Sequence, residues 1–167
     1  MAQLVARTAG GREVASSSLV IPTNLYNDHM QQTPKEVKLY ADGGSRGNPG
    51  PSAGGYVILD MDDSVLVKNG KYLGVTTNNQ AEYHSLKGGL EQAIKMGCRT
   101  VHVYMDSLLV VNQMKGIYKI KNRDLWPIHQ AIKELIPQFE SVHFQHVPRE
   151  LNKLADAAVN ETLDAQK

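Results

Sequence analysis

Alternating apolar and polar residues predict three strands between residues 37 and 72. Residues 37–42 alternate in this way and lead into a turn-rich run over 43–51. Two further strands are predicted over 54–60 and 64–72, because both segments alternate and are bounded by turn residues. Since the connections are short, these three strands are expected to form an antiparallel meander.

A period close to 3.6 residues then predicts a helix from Asn78 or Asn79, either of which can cap it, to Gly97. Fourth and fifth strands are predicted over 100–105 and 142–147, and helices over 107–115, 125–136 and 150–164. The last helix is expected to turn five apolar residues inward: Leu151, Leu154, Ala155, Ala158 and Val159. This order of elements predicts an α/β fold with a mixed sheet flanked by helices.

Residues 1–34 differ from the rest because they show no sustained periodicity. They combine small and polar residues with one brief apolar run over 19–22. This pattern predicts a flexible leader or a remnant of an expression vector, followed by one folded domain over 35–165. Arg7 and Arg12 leave an organelle-targeting role for the leader open. A secretory signal is not predicted, because no charged start followed by an apolar core is present.

Composition agrees with one globular domain. The 167 residues are 41% hydrophobic and 21% charged, which is enough apolar material for one core. The single cysteine, Cys98, excludes an internal disulfide and a multi-cysteine zinc site, and is expected to be a buried thiol. No apolar stretch reaches the roughly 18 to 20 residues that span a bilayer. These features predict a cytoplasmic protein with no membrane partner.

The net charge of +1 gives no sign of a nucleic-acid partner, although many such proteins are strongly basic. A metal-dependent nuclease must also carry acidic residues, which offset basic ones in the total. Net charge therefore neither supports nor excludes this class of function.

Three acidic residues occupy similar places in the predicted fold. Asp42 ends the first strand, Asp106 ends the fourth, and Glu82 lies in the first turn of the first long helix. If the two strands are parallel neighbours, the two aspartates approach each other at the carboxyl edge of the sheet. Asp156, one to two turns into the last helix, is placed to approach from the side. Four clustered carboxylates need a hard divalent cation such as Mg²⁺ or Mn²⁺.

Each of these acids taken alone is also explained as a turn former or a helix cap. Spacing by itself therefore leaves a metal site and a structural role both open. The same holds for a basic run interleaved with Tyr118 and Trp126, which is either a solvated face or a clamp on a nucleic-acid backbone. Its basic members are Lys115, Lys119, Lys121 and Arg123.

Four segments in this order resemble type 1 ribonuclease H. They are Tyr40-Ala41-Asp42-Gly43-Gly44-Ser45 with Gly47-Asn48-Pro49-Gly50-Pro51, Thr76-Thr77-Asn78-Asn79-Gln80-Ala81-Glu82-Tyr83, Val103-Tyr104-Met105-Asp106-Ser107, and Asn152-Lys153-Leu154-Ala155-Asp156. The resemblance covers residues 36–163. It implies a ribonuclease H-like fold whose five-stranded mixed sheet has three antiparallel strands and then two parallel ones.

The resemblance also implies an activity and its metal ligands. The expected reaction is endonucleolytic hydrolysis of the RNA strand of an RNA–DNA hybrid, leaving 5′-phosphate and 3′-hydroxyl ends. The metal-binding and catalytic carboxylates would be Asp42, Glu82, Asp106 and Asp156, holding two Mg²⁺ ions per site, with Mn²⁺ as a substitute. A monomer is expected, and double-stranded RNA is left open as a second substrate.

Substrate contacts are carried over from the same motifs. Amide and hydroxyl side chains suit the 2′-hydroxyls of the hybrid's wide minor groove. The implied substrate-binding residues are Gly43, Asn48, Thr77, Asn78 and Gln80. The chain lacks room for the extra basic helix of some bacterial members, and the expected substitutes are Lys115, Lys119, Lys121 and Arg123. Lys119 and Lys121 are the substrate contacts predicted among them.

One catalytic auxiliary is ambiguous. Bacterial members place a histidine ahead of the last aspartate, and His146 lies at about that interval. The string His146-Val147-Pro148-Arg149-Glu150 is more similar to the compact archaeal-like subgroup, in which an arginine takes that place. Arg149 is therefore the predicted auxiliary residue, with His146 as its rival. Two other functions stay open, a resolvase- or integrase-like nuclease and a hybrid-binding module without catalysis.

Overall fold

A five-stranded mixed sheet forms the centre of the computed structural model, which describes residues 33–166; residues 1–32 of the predicted leader lie outside the described residues. The strands are β1 (Glu36–Ser45), β2 (Gly50–Leu59), β3 (Val65–Thr76), β4 (Thr100–Met105) and β5 (Ser141–His146). Their order in the sheet is β3-β2-β1-β4-β5. The first three pair antiparallel, and β4 pairs parallel with both β1 and β5. The predicted fold class is confirmed.

Among residues 33–166, four helices flank the sheet. They are α1 (Asn78–Lys95), α2 (Leu108–Met114), α3 (Trp126–Leu135) and α4 (Lys153–Asp164), with 3-10 turns at Arg123–Leu125, Ile136–Gln138 and Arg149–Leu151. Within this described part, no helix is both long and apolar enough to cross a membrane. Cys98 lies between α1 and β4 as a buried free thiol, as predicted.

Helices α1 and α4 lie on opposite faces of the sheet. The position of a Cβ at Gly54 of β2 faces Ser85 of α1, whereas the next residue, Gly55, faces Ala158 of α4. Successive residues of a strand point to opposite faces, so the two helices sandwich the sheet. The main core lies on the α1 side, where β1 and β4 contribute alternate buried side chains such as Leu39 and Val103. Side chains of α1 and α4 can therefore reach the edge of the sheet from its two opposite faces.

The strand ends differ from the prediction. Residues 43–51 were expected to form a loop, but β1 continues to Ser45 and β2 already begins at Gly50. Strand β3 also extends beyond residue 72 to Thr76. Glycines usually mark turns, yet Gly43 and Gly50 lie in strands where other backbone atoms come too close for a side chain: those of Ala81 and Glu82 at Gly43, and the carbonyl groups of Arg46 and Gly47 at Gly50. The prediction read the glycines as turn residues and was wrong for this reason.

The helix starts were also predicted incorrectly. The cap of α1 is Thr77, whose side chain accepts a hydrogen bond from the Gln80 amide, and neither Asn78 nor Asn79 is the cap. The last helix begins at Lys153, because residues 149–151 form a 3-10 turn. Leu151, in this 3-10 turn, is 62% exposed and Leu154, in α4, is 46% exposed, whereas both were expected to point inward. The buried face of α4 is formed by Ala155, Ala158, Val159 and Leu163.

Candidate metal centre

The parallel pairing of β1 and β4 brings two aspartates together. Asp42 lies within β1 and Asp106 directly follows β4, so both reach the same edge of the sheet. Glu82 of α1 completes a group whose carboxylate oxygens lie within 4.8 Å of one another. Two placements differ from the prediction: Asp42 does not end its strand, and Glu82 lies just beyond the first turn of its helix.

Gly43 makes this approach of α1 to β1 sterically feasible. A Cβ at this position would lie 2.2 Å from the Ala81 carbonyl carbon and 2.2 Å from the Glu82 amide nitrogen. Any side chain would therefore push the helix away from the strand. The Gly43 amide also hydrogen-bonds toward the Asp42 and Glu82 carboxylates, an interaction that lowers the pKa of each. Gly43, predicted as a substrate contact, thus holds Glu82 beside Asp42.

Asp156 joins the other three carboxylates around one cavity of about 260 Å³. It lies in the first turn of α4, nearer the helix start than predicted. Arg149 lines the same cavity, and its Nη2 lies 3.8 Å from Asp156 Oδ1. All four predicted carboxylates and the preferred auxiliary residue therefore share one cavity. His146 is exposed at the end of β5, and it is not among the described side chains that line this cavity.

Burial and mutual repulsion raise the proton affinity of the inner carboxylates. Desolvation, followed by the charges of Asp106 and Asp156, raises the pKa of Asp42 to about 7. Desolvation and then the Asp42 charge raise the pKa of Glu82 well above its usual range. The pKa of Asp106 is also raised by burial, against the opposing charge of Arg149. Without a cation, this cluster therefore favours retaining protons.

The donor set fits a hard divalent cation. Glu82 Oε2 is buried and has no hydrogen-bond partner among the described residues, which is costly for a carboxylate oxygen unless something else neutralises it. The neighbouring donors are also carboxylate oxygens, which bind Mg²⁺ and Mn²⁺ rather than soft metals. A divalent ion would resolve both the repulsion and the unpaired oxygen.

Asn152 is a site residue that the sequence reasoning did not single out. It is 1% exposed, and its Nδ2 donates to the Ala41 carbonyl oxygen at 3.0 Å. Its side chain also hydrogen-bonds to Asp106 in a way that lowers the pKa of that carboxyl. An asparagine before a helix usually signals a cap, but Asn152 makes no capping bond with its side chain. It therefore ties the start of α4 to β1 and to Asp106.

Several predicted substrate contacts lie around the amino terminus of α1 and form hydrogen bonds with neighbouring residues. Asn48 Oδ1 accepts from the Asn78 amide at 3.0 Å, and Thr77 Oγ1 accepts from the Gln80 amide at 3.2 Å. Gln80 Nε2 donates to the Asp124 carbonyl oxygen at 2.9 Å. Asn78 also lines the acidic cavity. These residues form one continuous surface beside the carboxylates.

Lys119 and Lys121 lie around a second groove of about 540 Å³, together with Asn79 of α1. Trp126, at the start of α3, is 51% exposed, and Arg123 stands 5.6 Å from its ring centroid. The basic residues and the aromatic residue thus share a surface that begins at the amino-terminal turn of α1.

Comparisons with known proteins agree with this geometry. A family model described as Reverse transcriptase-like matches residues 40–162. A bifunctional protein of Mycobacterium tuberculosis is 44% identical over 131 residues, which are 78% of this chain and 36% of that protein. Ribonuclease HI of Halobacterium salinarum is 41% identical over 128 residues, 77% of this chain and 64% of that protein. The chain therefore spans less than two thirds of the length of either relative.

Solved structures extend the comparison to the fold. The crystal structure of RNase H1 from Halobacterium salinarum matches with a TM-score of 0.76 and 40% identity, covering 78% of this chain and 98% of that one. LC11-RNase H1 in complex with an RNA/DNA hybrid matches with a TM-score of 0.75 and 40% identity, again covering 78% and 98%. At 40% identity, these two proteins resemble this chain in sequence as well as in fold.

Proposed function

Since the chain belongs to the type 1 ribonuclease H family, we propose that it is an endonuclease that hydrolyses the RNA strand of RNA–DNA hybrids. The products would carry 5′-phosphate and 3′-hydroxyl ends. The observation that carries this proposal is the group formed by Asp42, Glu82 and Asp106, whose oxygens lie within 4.8 Å of one another around an unpartnered buried oxygen. The hybrid bound to the similar LC11 protein supports the choice of substrate.

The four carboxylates are the proposed ligands of two Mg²⁺ ions, with Mn²⁺ as a substitute. When bound, such ions supply an activated water and neutralise charge on the leaving oxygen. The chain itself fixes the ligands in advance. Gly43 holds Glu82 against Asp42, and Asn152 holds Asp106, so little reorganisation is needed when the substrate arrives.

The proposed hybrid path follows the surface from the carboxylates to the basic groove. Asn48, Thr77, Asn78 and Gln80 line its middle, and their amide and hydroxyl groups suit 2′-hydroxyls and phosphates. Lys119 and Lys121 would contact the backbone further along. Arg149 is always protonated, so its proposed role is to stabilise negative charge at the cavity rim without transferring a proton.

Cleavage of end-labelled duplexes tests the proposal directly. The full chain would be incubated with hybrid, double-stranded RNA or double-stranded DNA, each with Mg²⁺, Mn²⁺ or EDTA. We expect the RNA strand of the hybrid to be cut with either metal and to stay intact in EDTA. Size exclusion of the same sample is expected to show a monomer.

Failure of the proposal has a distinct signature. If no duplex is cut with either metal while the hybrid is still bound, the chain is a binding module and the carboxylates are structural. Cutting of double-stranded DNA in preference to the hybrid would instead indicate a resolvase-like nuclease. Additional cutting of double-stranded RNA would broaden the substrate class without changing the reaction.

A further inference from the structure

A second charged cavity lies between α1 and β3, away from the carboxylates. Alternate residues of β3, Asn69 and Lys71 among them, face a stripe of α1 that includes Lys87, Glu91 and Lys95. The lining residues of α1 flank its buried core face, and the space of about 290 Å³ that they border is open to solvent, with Asn69, Lys71 and Lys95 exposed. We call this space the α1–β3 cavity.

The charges of the α1–β3 cavity are not balanced. Three lysines line it against one glutamate, and that glutamate already pairs with Lys87 at 3.0 Å. Neither Lys71 nor Lys95 has a carboxylate within ion-pairing distance among residues 33–166. The whole chain carries a net charge of only +1, so this concentration of positive charge is local. An anion in the cavity would relieve the repulsion between the ammonium groups.

Two neighbouring glycines of α1 have different surroundings, since one faces the core and the other faces the α1–β3 cavity. Gly89 faces the core, where a Cβ would lie 2.5 Å from Leu39 Cδ1, so packing requires a glycine there. Gly88 lines the α1–β3 cavity, and a Cβ would meet a single neighbour, Tyr56, whose nearest atom is 3.3 Å away. Glycine is unfavourable in a helix interior. Its presence at position 88 keeps the floor of the cavity open.

Neutral hydrogen-bonding groups accompany the lysines. Asn69 Nδ2 donates to Tyr56 Oη at 3.2 Å, which leaves the tyrosine proton and the second amide hydrogen available to a ligand. Phosphate oxygens accept from both ammonium and neutral donors. A volume of about 290 Å³ is near the lower end for small-ligand sites, so it suits a mononucleotide-sized molecule and not a duplex.

We propose that the α1–β3 cavity binds the phosphate group of a small phosphate monoester of about mononucleotide size. Lys71 and Lys95 supply unpaired positive charge, Lys87 exchanges part of its pairing with Glu91 for the phosphate, and Gly88 provides room. This binding needs none of the four carboxylates and no divalent metal. It therefore stands whether or not the chain cleaves hybrids.

Amide NMR on the full chain in EDTA tests the proposal, with adenosine monophosphate, inorganic phosphate and adenosine as probes. We expect adenosine monophosphate to shift the Lys71 and Gly88 amides in a saturable way, and adenosine to leave them unchanged. Losing charge-assisted hydrogen bonds in Lys71→Gln/Lys87→Gln should weaken binding at least about tenfold. Gly88→Ala, which keeps every charge, should weaken it as well.

Lys68→Gln is the matched control. Lys68 lies on the same strand but pairs with Glu161 of α4 at 3.4 Å, on the opposite face of the sheet. This variant loses one positive charge where the double variant loses two, and it is expected to bind like the unaltered chain. The proposal is overturned if no saturation occurs up to about 10 mM, the weak end of specific binding. It is equally overturned if the double variant binds normally, or if inorganic phosphate binds and adenosine monophosphate does not.

Discussion

The inner and outer carboxylates of the acidic cavity differ in how their charge is compensated. The inner pair, Asp42 and Glu82, is 7% and 5% exposed, and burial is the main reason for the raised pKa of each. The outer pair, Asp106 and Asp156, is half-buried and lies near Arg149. Water and a guanidinium already stabilise the outer charges, whereas the inner charges have neither.

This difference assigns unequal roles to chemically similar groups. For the inner pair, only a proton or a metal ion can compensate the charge, because solvent is largely excluded. For the outer pair, a lost ligand can be replaced by water at small cost. Metal binding should therefore depend most on the inner pair, and the outer pair should mainly adjust the position and charge of the substrate.

The largest effect on cleavage is expected from replacing Asp42 or Asp156, one at a time, with asparagine. Asp42→Asn removes a buried ligand charge worth several kcal/mol, so hybrid cleavage should fall about a thousandfold or more. Asp156→Asn should cost about ten- to a hundredfold, because a half-exposed ligand can be replaced by water. Initial cleavage rates at saturating Mg²⁺ give both numbers, and circular dichroism checks that each variant is folded.

Equal losses in the two variants would remove the distinction between inner and outer pairs. Retained activity in Asp42→Asn would go further and contradict the assignment of metal ligands. Glu82→Gln serves as a second inner variant. It should behave like Asp42→Asn, since both lose a buried carboxylate from the same group of oxygens.

A smaller effect on cleavage is expected from replacing Arg149 at the rim of the acidic cavity. Arg149→Ala should slow turnover about tenfold, because it removes the guanidinium that lies near Asp106 and Asp156. His146→Ala should change turnover less, since His146 is exposed at the end of β5, outside the cavity lining. Single-turnover rates at saturating hybrid separate turnover from binding.

Arg149→Lys is the control for charge at this position. It should recover part of the rate if positive charge is what matters. A greater loss in His146→Ala than in Arg149→Ala would restore the histidine as the auxiliary residue. The side chain of Arg149 is 81% exposed, so neither replacement should destabilise the fold.

Much of the site could be predicted because it depends on strand order. Alternation located the first and fourth strands, and parallel pairing of β1 with β4 then brings Asp42 and Asp106 to one edge. The predicted helices placed Glu82 and Asp156 near these two aspartates, and the resemblance then implied that all four carboxylates bind metal. The family and the fold class are confirmed, while the roles of individual site residues stay predictions.

What could not be predicted depends on close contacts between distant segments. Gly43 reads as a turn residue, and its proximity to Ala81 is visible only once α1 is placed on β1. Asn152 lies inside the predicted last helix, and its bond to the Ala41 carbonyl oxygen, which joins residues 111 positions apart, has no signal in the local sequence. Leu151 and Leu154 fit an inward helical stripe, but Leu151 falls in the 3-10 turn before Lys153, and Ala155 and Ala158 meet the sheet in place of Leu154.

The smallest effect concerns stability without metal, and it measures how far burial and the neighbouring charges of Asp106 and Asp156 disfavour the Asp42 carboxylate. The pKa of Asp42 rises from its ordinary value of 3.8 to about 7 in the folded chain, so the folded state binds this proton more tightly than the unfolded state does. The resulting penalty on folding is absent below pH 3.8 and is complete above about pH 7. In EDTA at pH 8, Asp42→Asn should therefore stabilise the fold, by about 1–3 kcal/mol. At pH 5 the gain should be smaller, because the folded carboxyl is then largely protonated.

Urea unfolding at both pH values, repeated with Mg²⁺, measures the effect, and Mg²⁺ should stabilise the unaltered chain more than the variant. A destabilised Asp42→Asn in EDTA would mean that burial and the neighbouring carboxylates do not disfavour the Asp42 charge in the folded chain.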